Sequence, residues 1–227
     1  MDDQLDLFKK NRKITKRLGR PPTGKRREPR HRTRPDVNRH HPQHVTLRVL
    51  DSVGWLRRMD IYKAIRRAMH AALRRADFRC VHASIQGNHI HLVCEAESKQ
   101  ALRLGVQGTK ISMAHWIKAA LRKRGLPCPG KVFAYRYHVR AITSPQQCRN
   151  TLAYVLNNWR HHGYDRGTDA RLDRYSSGVQ FDGWKGGSFE IPKDHDPLPV
   201  ARPHTWLLRI GWRIHGEIST SFVPKYG

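Results

Sequence analysis

The sequence predicts an α+β fold, an antiparallel sheet with helices on one face and one further helix after the last strand. Four segments alternate apolar and polar residues with the period of a β-strand. Two longer segments, each lying between two of these strands in the sequence, place apolar residues three and four positions apart. This spacing is typical of a half-buried helix. The resulting order, β-α-β-β-α-β, is that of a ferredoxin-like sandwich. Because this fold serves many functions, the function must be sought in particular residues.

The elements follow one another along the middle of the chain. We expect strands at residues 45–49, 79–86, 89–96 and 131–143, and helices at 60–76 and 99–124. The added helix should begin at Ser144-Pro145, because serine caps a first turn and proline fits the next position, and it should end at Gly163. The apolar residues of the second strand that should share one face are Val81, Ala83 and Ile85.

Positive charge dominates all but the last part of the chain. The 227 residues carry a formal net charge of +26, with 14 Lys and Arg against 2 acids in residues 9–41, 21 against 5 in 42–163 and 9 against 8 in 164–227. Such a surplus on a segment predicted to fold favours a polyanionic partner, most simply nucleic acid. We divide the chain into a basic flexible arm (1–43), a folded domain (44–163) and an irregular tail that packs on the domain (164–227).

The cysteines and the hydropathy pattern indicate the compartment. The four cysteines form no Cys-x-x-Cys pair and suggest no disulfide framework. No apolar run approaches membrane-spanning length, and the chain begins with no signal peptide. The sequence therefore predicts a cytoplasmic, nucleoid-associated protein that does not contact a membrane.

Two histidines lie in the third strand, in the stretch Gly87-Asn88-His89-Ile90-His91-Leu92-Val93. Successive strand side chains point to opposite faces, so His89 and His91 project from the same side of the sheet. They are close enough there to hold one divalent cation, and we predict both as metal ligands. A His-x-His pair alone is more often two partly exposed histidines that bind nothing, and the motifs further along the chain favour the metal site.

The added helix carries a potential nucleophile and a third ligand. Tyr154 and Asn158 are four residues apart and therefore lie on one face of the helix. A phenol can attack phosphorus and keep the phosphate as a covalent ester, while a divalent cation polarises the scissile phosphate. We predict Tyr154 as the catalytic nucleophile. Oxygen ligands suit hard ions such as Mg²⁺ or Mn²⁺, so the amide oxygen of Asn158 is a candidate metal ligand.

Basic side chains recur at regular spacing on the last strand and on the first helix, and one further candidate lies in the arm. The predicted DNA-binding residues are Arg136, His138 and Arg140 on the last strand, Lys63, Arg67 and Arg74 on the first helix, and Arg20 in the arm. The strand residues share a face on which a phosphate backbone could cross the sheet, or they form only an exposed polar face. Arg20 belongs to a degenerate AT-hook, Leu18-Gly19-Arg20-Pro21-Pro22, or to a non-specific electrostatic arm.

Together these motifs resemble a known family. The chain is similar to the HUH-type single-tyrosine transposases in three stretches that follow one another in the sequence. They are residues 87–93, then Arg136-Tyr137-His138, and then the helical Tyr154-Val155-Leu156-Asn157-Asn158. More narrowly, they resemble the REP-associated tyrosine transposases, bacterial proteins linked to repetitive extragenic palindromes. The resemblance covers residues 44–162, and two short segments of the tail, at 176–178 and 181–184, are also similar to some members.

The resemblance implies a function and a role for each site residue. His89, His91 and Asn158 would hold the metal and Tyr154 would be the nucleophile. The reaction would be a metal-dependent nick in single-stranded DNA near a palindromic hairpin, giving a 5′-phosphotyrosine and a free 3′-OH that can be rejoined. The DNA would be bound by a monomer or a homodimer. One departure is that typical members place glutamine where Asn158 stands.

Other functions are compatible with parts of the pattern. A replication initiator or a relaxase is another HUH nuclease, but a relaxase places its tyrosine before the histidines, and an initiator usually carries a further domain. A domesticated transposase would bind palindromic DNA without cutting it, and an RNA-binding module would stack bases on aromatic residues of an open sheet face. A carboxylate-triad transposase is disfavoured, because residues 42–163 contain only 5 acids.

Overall fold

The computed structural model describes residues 34–126, 130–134 and 136–224. They contain strands β1 (Gln43–Arg48), β2 (Phe78–Ile85), β3 (His89–Ala96) and β4 (His138–Ala141), and helices α1 (Met59–Leu73), α2 (Lys99–Lys123), α3 (Pro145–His161) and α4 (Trp206–Arg209). Short 3-10 segments lie at Asp51–Val53, Gly178–Gln180 and Gly211–His215. The strands form one antiparallel sheet in the order β2-β3-β1-β4. This is the ferredoxin-like order, so the predicted fold class is confirmed.

The helices α1 and α2 cover one face of the sheet. Leu47 of β1 and the alternate residues Ile90 and Leu92 of β3 face them and are almost fully buried. Ile65 of α1 and Met113 of α2 belong to the same cluster. Burying one such side chain contributes roughly 1.5–3 kcal/mol, so this face of each strand is strongly specified. The residues between them, including both histidines of β3, must point to the opposite side.

The helix α3 and part of the chain after it pack on that opposite side. Val93 of β3 joins a second apolar cluster with residues of α3 and with Trp184 and Trp212 of the tail. The buried carboxylate of Glu95 accepts hydrogen bonds from the backbone N–H groups of the two residues that precede α4. These contacts fix α3 against the strand that carries the histidines.

The limits of α3 follow from its local sequence. The hydroxyl of Ser144 accepts a hydrogen bond of 3.3 Å from the backbone N–H of Gln147, and Pro145 begins the helix. The helix ends before Gly163, whose φ of +68° is the left-handed conformation that glycine adopts without strain. The residues of its buried stripe are Cys148, Leu152, Val155, Leu156 and Trp159. Within the described ranges no helix is long and apolar enough to cross a membrane.

The last strand is shorter than its alternating sequence predicts. β4 covers only His138–Ala141, and an isolated bridge joins Phe133 to Val49. Five positions separate Phe133 from His138, whereas three separate their partners Val49 and Thr46, so additional residues interrupt the pairing. The expectation of one continuous strand over 131–143 is therefore wrong.

The strand β2 also departs from strict alternation. Its register shifts between Cys80 and His82. Val81 consequently packs in the α3 cluster, whereas Ala83 and Ile85 lie in the core under α1 and α2. The prediction that the three apolar residues share one face is wrong, because an inserted residue reverses the direction of the side chains before it.

Candidate active site

The two histidines of β3 meet on the side of the sheet that carries α3. A hydrogen bond of 2.9 Å from the backbone N–H of Gln86 to the carbonyl of His89 closes the turn that leads into the strand. The Nε2 atoms of His89 and His91 are 3.0 Å apart, and their ring centroids are 4.7 Å apart. The period of the strand thus brings two imidazole nitrogens to one point.

The second ring nitrogen of each histidine is held by a neighbour. Nδ1 of His89 lies 2.9 Å from Oδ1 of Asn88, and Nδ1 of His91 lies 3.0 Å from Nε2 of His44 and 3.3 Å from the hydroxyl of Thr46. A carbonyl oxygen only accepts, so Nδ1 of His89 donates this hydrogen bond and Nε2 keeps its lone pair. Histidines that bind metals typically have their second nitrogen fixed in this way.

Burial keeps both imidazoles neutral. Burial, followed by the charges of His162 and Arg48, lowers the pKa of His89 from 6.5 to about 4. The pKa of His91 lies well below its ordinary value, first because of burial and then because of neighbouring histidines. Neutral imidazole is the form that binds a metal ion, so at neutral pH the pair is ready to act as ligands.

The helix α3 brings Tyr154 and Asn158 to the same place. The ring centroid of Tyr154 lies 5.3 Å from that of His91 and 6.1 Å from that of His44, edge-on to both. One turn further, Nδ2 of Asn158 lies 3.2 Å from Nε2 of His91. Four predicted residues from two elements, Tyr154, Asn158, His89 and His91, therefore lie together.

The donor atoms fit one divalent cation. Ligands about 2.1 Å from an octahedral ion stand about 3 Å from their neighbours, and the nitrogen separations here are 3.0 and 3.2 Å. Oδ1 of Asn158 is buried and has no hydrogen-bond partner in the described part of the chain. Turning the amide by half a turn exchanges this oxygen with Nδ2 and aims it at the histidine pair. No three residues of the types His, Cys, Asp and Glu are grouped to hold a metal among those described, so the candidate site is two imidazoles and one amide.

Part of the predicted DNA-binding surface lies beside these residues. His138 and Arg140 of β4 pair across the sheet with Thr46 and His44 of β1. Directly paired residues share a face, so both exposed side chains lie on the side of the sheet that carries the histidine pair. Arg136 is exposed just before β4.

The predicted basic residues of α1 lie elsewhere. Lys63, Arg67 and Arg74 are exposed on the outer side of α1, which covers the opposite face of the sheet. The guanidinium of Arg67 lies 3.7 Å from the ring centroid of Trp116 on α2. The structure does not bring these three residues to the candidate site. Arg20 and its AT-hook motif lie outside the described residues.

One member of the site was not identified from the sequence. His44 is 3% exposed, and burial, followed by the charges of His138, Arg140 and His89, lowers its pKa to about 4. In the sequence it is one of three polar residues that alternate along β1. Only the pairing of β1 with β3, in which Thr46 stands opposite His91, shows that His44 reaches His91.

Comparison with known proteins identifies the family of the chain. The family model described as "Transposase IS200 like" matches residues 39–158, a range that contains the predicted nucleophile and the three predicted metal ligands. A solved structure of a REP-associated tyrosine transposase bound to a REP hairpin is similar, with 16% identity, 60% of this chain and 75% of that chain covered, and a TM-score of 0.45. A crystal structure described as a transposase from Deinococcus radiodurans has 11% identity, 56% and 94% coverage and a TM-score of 0.37. No curated protein matches the chain significantly. Because the family model spans more than half of the sequence, the chain belongs to the IS200-like transposase family.

Proposed function

We propose that this protein is an HUH-type tyrosine transposase that nicks and rejoins single-stranded DNA next to palindromic hairpins, with a divalent cation and a 5′-phosphotyrosine intermediate. The observation that carries the proposal is the position of α3. It puts the ring of Tyr154 5.3 Å from that of His91, while Nδ2 of Asn158 lies 3.2 Å from Nε2 of the same histidine. Family membership already makes the chain a DNA-processing protein, and the proposal adds the chemistry and the role of each residue.

Three residues would hold the ion, Mg²⁺ or Mn²⁺. His89 and His91 offer neutral nitrogens and Asn158 offers an amide oxygen, in positions stabilised by Asn88 and His44. When bound, such an ion polarises the scissile phosphate and neutralises the charge that develops in the transition state. The protein supplies the orientation of the donors before DNA arrives.

Tyr154 would be the nucleophile. Its hydroxyl oxygen bonds to phosphorus and loses its proton, while the bond between phosphorus and the 3′ oxygen breaks and that oxygen is protonated. The 5′ phosphate stays on Tyr154, so the bond energy is conserved as a phosphotyrosine ester. Attack by a 3′-OH on this ester rejoins the strand, since the new bond between phosphorus and the 3′ oxygen replaces the bond to the phenol oxygen of Tyr154, which is protonated again. The buried stripe of α3 holds the phenol in register with the histidine pair during both steps.

The DNA strand would cross the site beside β4. His138 and Arg140 lie on the same side of the sheet as the histidine pair, and phosphate contacts of this kind position a strand without reading its sequence. The hairpin in the proposal comes from the resemblance of the motifs to REP-associated tyrosine transposases.

A covalent adduct tests the proposal. Incubation of the protein with a labelled hairpin-bearing single strand and Mg²⁺ or Mn²⁺ should give a denaturant-resistant adduct that carries the DNA downstream of the nick. Tyr154→Phe removes one oxygen, so it should bind the strand and form no adduct. The control is Tyr137→Phe, since Tyr137 is also half-buried but packs against the core under α1 and α2.

Two outcomes would contradict the proposal. An adduct in Tyr154→Phe would assign the nucleophile to another residue. If the wild type formed no adduct on any palindromic strand while binding it, the protein would be a palindrome-binding protein that does not cut.

A further inference from the structure

A row of aromatic rings leads from the candidate active site to the surface. The ring of His162 lies 5.5 Å from that of His89, and Tyr164 stacks on His162 at 5.3 Å with 19° between the ring planes. The indole of Trp55 meets Tyr164 edge-on at 5.2 Å. Trp55 is 48% exposed and ends the row. The proposed chemistry uses none of these three residues.

The indole of Trp55 lies directly against the turn that begins the histidine motif. A Cβ on Gly87 would stand 2.5 Å from the Trp55 ring and 2.9 Å from the hydroxyl of Tyr164, so only glycine allows this approach. The backbone N–H of Leu56 donates to the carbonyl of Gly87 at 2.8 Å. The Cα atoms of Gly87 and His89 are at most about 7 Å apart, because two peptide units join them. Trp55 is therefore close to the first predicted metal ligand.

Arg57, two residues after Trp55, anchors the loop that carries the indole. Arg57 donates two hydrogen bonds of 2.8 Å to Asp173 and one of 2.9 Å to the carbonyl of Ile85. Both partners of the ion pair are nearly inaccessible, and the guanidinium also lies 4.8 Å from the ring centroid of Tyr164. A bidentate arginine–carboxylate pair fixes geometry as well as adding energy. The loop that carries the exposed indole is thus fixed to β2 and to the tail.

We propose that Trp55 is a stacking platform for an unpaired base of the strand that is cut. The inference rests on the proposed function, because it places the base on the strand whose phosphate lies at His89 and His91. Continuity of the ring row with that site supports it, as does the positive charge of Arg48, which pairs directly with His89 across β1 and β3. Every base has a π-face, so such a platform holds a single strand without selecting its sequence. A base in a hairpin stem is already stacked and does not use it.

Fluorescence of 2-aminopurine, a base analogue that is quenched by stacking, tests the platform. The analogue is placed at successive unpaired positions on either side of the nick, and binding is measured in EDTA so that no cutting occurs. The wild type should quench at one or two adjacent positions. Trp55→Ala should lose this quench and bind the strand about 5- to 150-fold more weakly, as expected for one stacked base.

Matched variants separate stacking from folding. Trp55→Phe should keep much of the quench, and Trp55→Leu, which keeps an apolar side chain but has no π-face, should lose it. The control is Trp206→Ala, since Trp206 is 53% exposed on α4 and also packs against a glycine, Gly211. This variant should bind and quench like the wild type.

The result does not depend on whether the protein cuts. If the wild type forms the adduct but Trp55→Leu binds the strand and quenches the analogue as the wild type does, the proposal that Trp55 stacks a base is wrong. The proposed cleavage would then be unaffected. If the quench depends on Trp55 while the wild type forms no adduct, the platform stands and the proposed cleavage is wrong. Absence of quenching at every position in the wild type would also overturn the platform.

Discussion

Nδ1 of His91 lies 3.0 Å from Nε2 of His44, 47 residues earlier in the chain. This contact makes β1 part of the candidate active site, because it fixes the ring whose other nitrogen faces His89 and Asn158. If Nε2 of His91 binds an ion, Nδ1 must carry the ring proton and donate a hydrogen bond, and Nε2 of His44 is the nearer of its two acceptors, at 3.0 Å against 3.3 Å for the hydroxyl of Thr46. His44 thereby acts as a positioning residue, through His91.

The first prediction concerns His44. His44→Ala should weaken Mn²⁺ binding by about 10- to 100-fold, the usual effect of removing the partner of a ligating histidine. His44→Gln should recover part of it, since an amide oxygen can accept the same hydrogen bond. Titration followed by the paramagnetic resonance of free Mn²⁺ measures both. If the Mn²⁺ affinity of His44→Ala were unchanged, His44 would only pack against His91 and would not position it.

The second prediction concerns the third ligand. Asn158→Ala should weaken Mn²⁺ binding by about ten-fold or more, because it removes the only oxygen donor of the candidate set. Asn158→Asp should bind Mn²⁺ more tightly but be less stable without it, since a buried carboxylate without a cation is costly. Melting temperatures with and without Mn²⁺ measure this, because a ligand stabilises the state that it binds. Equal melting shifts in both variants and the wild type would exclude Asn158 as a ligand.

Most of this site follows from two sequence periods. The two-residue period of a strand puts His89 and His91 on one face, and the four-residue spacing on a helix does the same for Tyr154 and Asn158. The meeting of strand and helix does not follow from either period. It depends on the burial of α3 against Val93, a contact 50 or more residues apart in sequence that only the folded chain shows.

Two of the features missed from the sequence depend on contacts between distant segments. His44 becomes part of the site only through the register of β1 and β3, and Trp55 only through its approach to Gly87. The interrupted last strand and the shift in β2 are local insertions. An alternating sequence does not reveal them, because each side of the insertion keeps its own alternation.

The third prediction compares the two basic faces. Replacement of His138 and Arg140 by Ala should weaken binding of a short single strand. It should also reduce the slope of log K against log salt by roughly 0.7 for each phosphate that is no longer neutralised. Replacement of Lys63 and Arg74 by Ala should leave binding of the same strand unchanged, because α1 lies on the other face of the sheet. Filter binding across a salt series measures both. Equal weakening by the two replacements would show that DNA binds to both faces.

The last prediction concerns the acid stability of the fold and uses a histidine outside the site. His82 is buried beside Phe181, with Nδ1 3.2 Å from the hydroxyl of Ser177. Burial, opposed by the charge of Asp182, lowers its pKa from 6.5 to about 4. Between these values the unfolded chain binds a proton at His82 and the folded protein does not. The free energy of unfolding must therefore fall as the pH is lowered through this window, by roughly 3 kcal/mol when it is complete.

Substitution of His82 by asparagine should remove that share of the pH dependence. Asparagine keeps a polar group near Ser177 but does not titrate, so His82→Asn should be less stable than the wild type at pH 7 and lose less on going to pH 4.5. Other histidines with lowered pKa values titrate in both proteins and cancel in the comparison. Urea unfolding at both pH values gives the difference. His70→Asn, on the exposed side of α1, should follow the wild type at each pH. If His82→Asn lost as much stability as the wild type on acidification, protonation of the buried ring would carry no cost, and the acid sensitivity would have to arise elsewhere.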